Sequence, residues 1–154
     1  MAGRATLTAQ EEQFVQEQRV GHLATSDEAG HPYVVPVCYA FDGERFYTPL
    51  DEKPKRVEAN KLRRVRNIEA RHEAALVIDR YTEDWSQLGY VLVQGRADLL
   101  APGDALHAHA LRLLRARYPQ YRDMNLETQR VIVITPTRVT SWGSAPTGVY
   151  TGFQ

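Results

Sequence analysis

Apolar residues recur in this chain with two different periods, and the places where the period changes mark the elements. Thr8-Ala9-Gln10-Glu11 has the form of a capping box, with Thr8 as N-cap and Glu11 three residues on. It predicts a first helix from about Thr8 to Arg19 with a thin apolar side, Phe14 and Val15. The period then shortens. Val20 to Ser26 reads as a strand, Asp27-Glu28-Ala29-Gly30 as a turn, and His31 to Asp42 as a second strand rich in Val, Tyr and Phe. Pro36 has no N–H for a sheet ladder, so this strand is expected at an edge, bulged, or open to a ligand. Asp42-Gly43 is a hairpin turn. Glu44 to Leu50 returns as a third strand, with Phe46 and Thr48 on one face and Arg45 and Tyr47 on the other.

Helical spacing resumes from about Val57 to Ala70, where Val57, Leu62, Val65 and Ile68 form a rough apolar stripe. Ala74 to Tyr81 is a fourth strand, Thr82 to Gly89 a polar loop holding Trp85, and Tyr90 to Leu100 a fifth strand with a bulge or bend expected at Gly95. Pro102-Gly103 opens a third helix, Asp104 to about Tyr118, with Leu106, Ala110, Leu113 and Leu114 on its buried side. Arg130 to Trp142 is a sixth strand, broken or bent at Pro136, and the tail from Gly143 reads as loop.

Three successive strands joined by tight turns demand antiparallel pairing, and closure into a six-stranded barrel removes exposed edges. A doubly wound parallel sheet would need a helix after almost every strand. The expected fold is therefore mainly β with peripheral helices (α+β), a six-stranded antiparallel β-barrel. It occupies one domain over residues 1–154, with its core at about 8–142 and a C-terminal tail at 143–154.

Charge adds what hydropathy hides. The chain is neutral overall, but residues 1–52 hold 3 basic and 9 acidic side chains. Residues 53–72 hold Lys53, Lys55, Arg56, Lys61, Arg63, Arg64, Arg66 and Arg71 against only Glu58 and Glu69. A cation cluster of this density suits an anionic partner such as a phosphate or a polyanion, or else it is the solvated face of an Arg-rich helix. Nucleic acid is disfavoured, because the pI of about 7.0 is far from basic and no nucleic-acid-binding signature is present.

The longest apolar stretch, Tyr33 to Phe41, is nine residues with Pro36 inside it, too short to span a membrane. The N-terminus has no apolar run of signal-peptide length, and a single cysteine, Cys38, makes no internal disulfide. A soluble cytoplasmic protein is the expectation.

Catalytic motifs are scarce. No nucleophile elbow, phosphate loop or dinucleotide fingerprint occurs. His107 and His109 lie about 200° apart around their helix, so they cannot chelate one ion together, and no metal site is expected. Cys38 reads as a core or pocket-wall residue and His31 as a surface residue. A domain poor in acid, base and nucleophile clusters but rich in phosphate-suited cations fits one that orients a borrowed cofactor. Tyr33, Tyr39, Phe41, Phe46 and Tyr47 read most simply as barrel packing. Tyr39 and the loop residue Trp85 are the candidates for substrate contact.

Four segments in order resemble the pyridoxamine 5′-phosphate oxidase-like split β-barrel family. They are Gly21-His22-Leu23-Ala24-Thr25-Ser26 through Pro36-Val37; Phe46-Tyr47-Thr48-Pro49 with Lys53-Pro54-Lys55-Arg56; Arg66-Asn67-Ile68 leading into Ala74-Ala75-Leu76-Val77; and Val91-Leu92-Val93-Gln94-Gly95-Arg96-Ala97. Within that family, Lys61-Leu62-Arg63-Arg64-Val65-Arg66-Asn67-Ile68 and Asp79-Arg80-Tyr81 with Asp84-Trp85 look most like the branch that uses the deazaflavin coenzyme F420.

The resemblance implies an FMN-binding-like split barrel, a homodimer with cofactor at its interface, and hydride transfer to a small-molecule substrate. FMN is the alternative cofactor, and a non-catalytic flavin- or tetrapyrrole-binding module the alternative role. Carried over by position, Lys55 and Arg64 hold the cofactor phosphate, and Asn67 and Thr48 contact it or fix its segment. Val35, Pro36 and Val37 lie along the ring system, and Trp142 walls the partner's site. One departure stands out: relatives have Asn-Pro before the fourth strand, where this chain has Arg71-His72. The basic window exceeds what one phosphate needs, which favours a cofactor with a polyanionic tail.

Overall fold

The structure is a computed structural model and describes residues 3–50 and 62–149. Helix α1 spans Ala9–Glu17, with Thr8 and Glu11 closing the expected capping box. Strands β1 (Gly21–Ser26) and β2 (Pro32–Val37) follow, then two short strands, β3 (Ala40–Phe41) and β4 (Phe46–Pro49). Helix α2 is Arg63–Arg71, and the expected start of this helix, at Val57, lies outside the described residues. Strands β5 (Glu73–Arg80) and β6 (Gly89–Leu100), helix α3 (Ala105–Arg117), strand β7 (Val131–Trp142) and a short helix α4 (Ser144–Thr147) complete the order.

The strands form one antiparallel sheet in the order β2-β1-β5-β6-β7-β4-β3, seven strands where six were expected. The extra strand arises because His31–Asp42 is not continuous. It breaks at Cys38-Tyr39, so β2 pairs with β1 while β3 pairs with β4. This break curls the sheet. In a flat sheet six inter-strand gaps would hold β2 and β3 about 29 Å apart. The chain from Val37 to Ala40 reaches only about 10 Å. The two edges must therefore approach each other, giving a half-barrel. β2 is an edge strand, so Pro36 sits where its missing N–H costs least.

The curled sheet packs two cores. Inside it lie Phe14, Leu23, Val37, Tyr39, Phe46, Leu76, Ile78, Val91, Val93, Ile132 and Ile134. Outside β4 and β7, α3 covers Tyr47, Val131 and Val133 with Leu111, Leu114 and Tyr118. The buried stripe of α3 is His107, Ala110, Leu111 and Leu114, so Leu106 and Leu113 are rotated to its margins. The register between β6 and β7 shifts at Gln94/Gly95, opposite Pro136, as expected for a bulge. A Cβ on Gly95 would lie 2.2 Å from the Thr135 carbonyl oxygen, so only glycine allows the strands to approach there. The tail is not all loop: Gly143, at φ 97°, turns the chain out of β7 into α4. Among the described residues no helix is long and apolar enough to cross a membrane.

Candidate functional site

Helix α2 presses Val65 and Ile68 into the core. Helical spacing then turns positions 63, 66 and 70 outward, toward the turn between β1 and β2. That turn is held by its own side chains. One Asp27 carboxylate oxygen accepts from the Ala29 and His31 N–H groups, and the other pairs with the His31 ring. Hydrogen bonds from the His31 backbone and ring hold the Asp27 carboxyl below its usual range. Arg71 ties the turn to the helix, donating to the carbonyls of Asp27 at 3.3 Å and Glu28 at 3.4 Å.

Between helix and turn opens a cleft of about 740 Å³, lined by Arg63, Arg66, Asn67, Ala70, His31 and Tyr33. The Arg63 guanidinium lies 5.7 Å from the Tyr33 ring centre. Among the described residues neither Arg63 nor Arg66 has a carboxylate partner. Asn67 is buried and donates from its side-chain amide to the Thr25 hydroxyl at 3.0 Å, which pins α2 to β1. Among the described residues no side chain caps the helix at its N-cap, Leu62. Two guanidinium forks beside an uncapped helix start fit the oxygens of a phosphate group, and Tyr33 and Leu62 supply an apolar wall.

The residues expected at a cofactor are spread over the barrel. Asn67 lines the cleft, but its amide is engaged with Thr25. Arg64 is half-buried in the first turn of α2, and Lys55 lies outside the described residues. Thr48 is buried on β4 at 3% exposure. Val35 and Val37 pack against the inner core, while Pro36 faces outward from the same strand. Trp142 stacks on Tyr90 with ring centres 6.2 Å apart, and its buried indole N–H has no hydrogen-bond partner among the described residues. Trp85 is exposed on a single 3-10 turn, Trp85–Gln87, capped by Asp84.

Tyr39 requires correction. It does not face a substrate-accessible surface. It is 1% exposed, and its hydroxyl lies 2.5 Å from the Val15 carbonyl oxygen and 3.0 Å from that of Gln18. The break between β2 and β3 turns it into the core, where it braces the end of α1. Arg63, Arg66 and Tyr33 were not singled out from the sequence. The signal for the two arginines was present in the basic window at i, i+3 spacing, but only the buried positions of α2 identify the outward face.

A model of the pyridoxamine 5′-phosphate oxidase family matches residues 7–143. The chain belongs to this family. No curated protein matches the chain. Among solved structures, the heme storage protein HutZ from Vibrio cholerae is 15% identical with a TM-score of 0.68, covering 90% of this chain and 94% of that one. A heme-binding protein from Mycobacterium smegmatis is 19% identical with a TM-score of 0.70, covering 87% of this chain and 52% of that one. An F420 reductase is 26% identical with a TM-score of 0.59, covering 84% of this chain and 94% of that one. The pyridoxamine 5′-phosphate oxidase fold thus serves proteins with different bound groups, and the choice among them turns on this chain's own residues.

Proposed function

We propose that this protein is an oxidoreductase that binds the deazaflavin coenzyme F420 and serves hydride transfer to a small-molecule acceptor. The observation that carries the reading is the pair Arg63 and Arg66, with no carboxylate partner among the described residues, at the uncapped start of α2. Likeness to the F420 reductase adds support. When bound, the deazaflavin supplies the hydride chemistry, which relieves the chain of any need for a nucleophile or a metal. The chain's own residues bind and orient. Arg63 and Arg66 meet anionic oxygens, with Lys55 and Arg64 assigned to the same phosphate by position in the family. Asn67, through Thr25, holds α2 at the azimuth that aims both arginines into the cleft. Thr48 is assigned to the phosphate end, the Val35-Pro36-Val37 backbone to the ring system, and Trp85 to the acceptor.

The working unit of this reading is a homodimer. Its support is the outer face of the sheet, where Val34 is 62% exposed and the register rows Pro36-His22-Val77-Leu92-Thr140 and Asp79-Tyr90-Trp142 combine apolar side chains with the His22–Asp79 pair. A second copy would cover the apolar part of this surface and bring Trp142 to the partner's site.

Side-by-side fluorescence titration of ligand-stripped protein with F420 and with FMN tests the reading, with a parallel heme titration followed in the visible spectrum. Tighter binding of F420, weakened at least tenfold in an Arg63→Ala/Arg66→Ala variant, is the expected result. Preference for FMN moves the assignment to an FMN-dependent oxidase or reductase. Heme binding alone makes the protein a tetrapyrrole module.

A further inference from the structure

The outer face of the sheet changes character along its strands. At one end stand charged and polar side chains, Glu73 opposite Arg96 and Gln94 opposite Arg138. At the other end Pro36, Val77, Leu92, Tyr90 and Trp142 bring apolar ones. Val20 and Tyr81, two positions from His22 and Asp79 along the chain, extend that apolar end at 45% and 65% exposure. Within it His22 and Asp79 carry charge. An ionisable pair in the part of a face that a second copy would cover makes association depend on its protonation.

The two groups meet across a strand boundary. His22 of β1 stands opposite Val77 of β5, so Asp79, two residues on, is its diagonal neighbour on the same face. Nδ1 of His22 lies 3.9 Å from an Asp79 carboxylate oxygen, with both side chains about half exposed. The other charged groups close to this end are already engaged. Arg80, next to Asp79 on β5, turns to Glu17 at 2.9 Å and lies over the Phe14 ring. Arg19, just before β1, donates to the Arg117 carbonyl and lies over the Tyr118 ring. Among the described residues neither His22 nor Asp79 has a second ionic partner. A further imidazole–carboxylate pair, His72 with Asp98 at 3.1 Å, belongs to the charged end, where Arg96 also binds Asp98.

We infer that the His22–Asp79 pair is a pH-sensitive latch for self-association, closing when the imidazole is protonated and loosening as it loses its proton. The inference rests on the homodimer reading above and adds the condition under which that dimer forms. An imidazole changes charge between about pH 5 and 8. On the acid side of this change the pair carries no net charge, and a second copy covers it without isolating an ion. On the alkaline side the imidazole is neutral, and covering the face takes the Asp79 carboxylate from water with no cation beside it among the described residues. Association therefore takes up protons, and it tightens as pH falls through this range. A two-fold interface holds the pair of each copy, so up to two protons are bound per dimer. The range stands clear of the Glu11 carboxyl, which is held at about 2.

The test is sedimentation velocity of the intact protein over a dilution series at about pH 6 and about pH 8, at constant ionic strength. The expected result is a dimer whose dissociation constant is at least tenfold larger at the higher pH. His22→Gln should reduce that ratio to less than about threefold. Asp79→Asn should do the same and, by removing the carboxylate that is left alone, should associate more tightly than the unaltered chain at the higher pH. His72→Gln should leave the ratio unchanged. A dimer with equal dissociation constants at the two pH values, a ratio that persists in His22→Gln, or one that disappears in His72→Gln would each overturn the latch while leaving the homodimer standing. A chain that stays monomeric at both pH values removes the homodimer reading and the latch with it.

Discussion

Arginine does opposite work at the two ends of this half-barrel. Around α1 and α3 the guanidiniums are consumed by the fold. Arg4 pairs with the buried Glu11, whose carboxylate also accepts from Thr8 N–H and the Ser141 hydroxyl. Arg117 reaches from α3 to the Gln16 carbonyl at 2.9 Å and to that of Gln18, and lies 4.8 Å from the Tyr39 ring centre. Helix α1 ends without a glycine cap, and Arg117 satisfies carbonyls that such a cap would have covered. At α2, by contrast, Arg63 and Arg66 have no carboxylate or carbonyl partner among the described residues. Function is to be sought where cations are held in place but not neutralised. Counting charges in the sequence does not separate the two uses.

The sharpest break of this contrast is at Glu11. Glu11→Ala leaves Arg4, the Thr8 N–H and Ser141 without their shared acceptor, and should cost about 3 kcal/mol in urea unfolding. Acid should act the same way. Burial alone would raise the Glu11 carboxyl, but hydrogen bonds from Arg4, Ser141 and Thr8 overcome it and hold the value at about 2, against an ordinary 4.5. A folded value below the unfolded one means this contribution is full above about pH 4.5 and is lost as pH falls toward 2. A flat stability profile across that window, or an acid limb unchanged in Glu11→Ala, would remove Glu11 from the account.

Arg117→Ala should cost somewhat less, about 2 kcal/mol, by leaving the end of α1 uncapped and Tyr39 unstacked. Its effect on cofactor affinity should be small. Arg66→Ala should behave in the reverse sense. Chemical denaturation should detect under about 0.5 kcal/mol, while cofactor affinity should drop about tenfold, equal to about 1.4 kcal/mol. If Arg66→Ala unfolds the protein, or Arg117→Ala abolishes binding in folded protein, the two ends are not the separate machines described above.

The smallest expected effect probes the hairpin after β3. Asp42 accepts from the Tyr47 hydroxyl at 2.7 Å and pairs with His109 of α3 at 3.1 Å. His109→Gln should cost about 0.5 to 1 kcal/mol and leave cofactor titrations unchanged, since the His109 side chain is 35% exposed and Asp42 keeps its bond from the Tyr47 hydroxyl.

Much of the architecture was legible from short-range signals. The capping box at Thr8, the Asp-Gly turn, the glycine bulge at position 95 and the start of α3 at Asp104 all stand where local spacing put them. These features depend on residues within a few positions of one another. The split of the second strand was not legible, because Cys38 and Tyr39 have ordinary strand propensity. Only pairing of β3 with β4, across the sheet from β2, breaks it. The candidate site was half legible. The basic window contains the residues of α2 that line the cleft, and the resemblance marked Asn67 among them. Which arginines face the cleft depends on how Val65 and Ile68 dock.

The sequence by itself determined the elements, their antiparallel linkage, the family, and the concentration of positive charge before β5. These follow from periodicity, turn chemistry and composition, which act along the chain. Tertiary structure decided that Tyr39 turns inward, that Glu11 is a buried carboxylate held by distant Ser141, and that Arg117 caps a helix about a hundred residues away. Each of these is a partnership between groups far apart in sequence, and a partner of that kind exists only once the sheet has curled and brought its edges together.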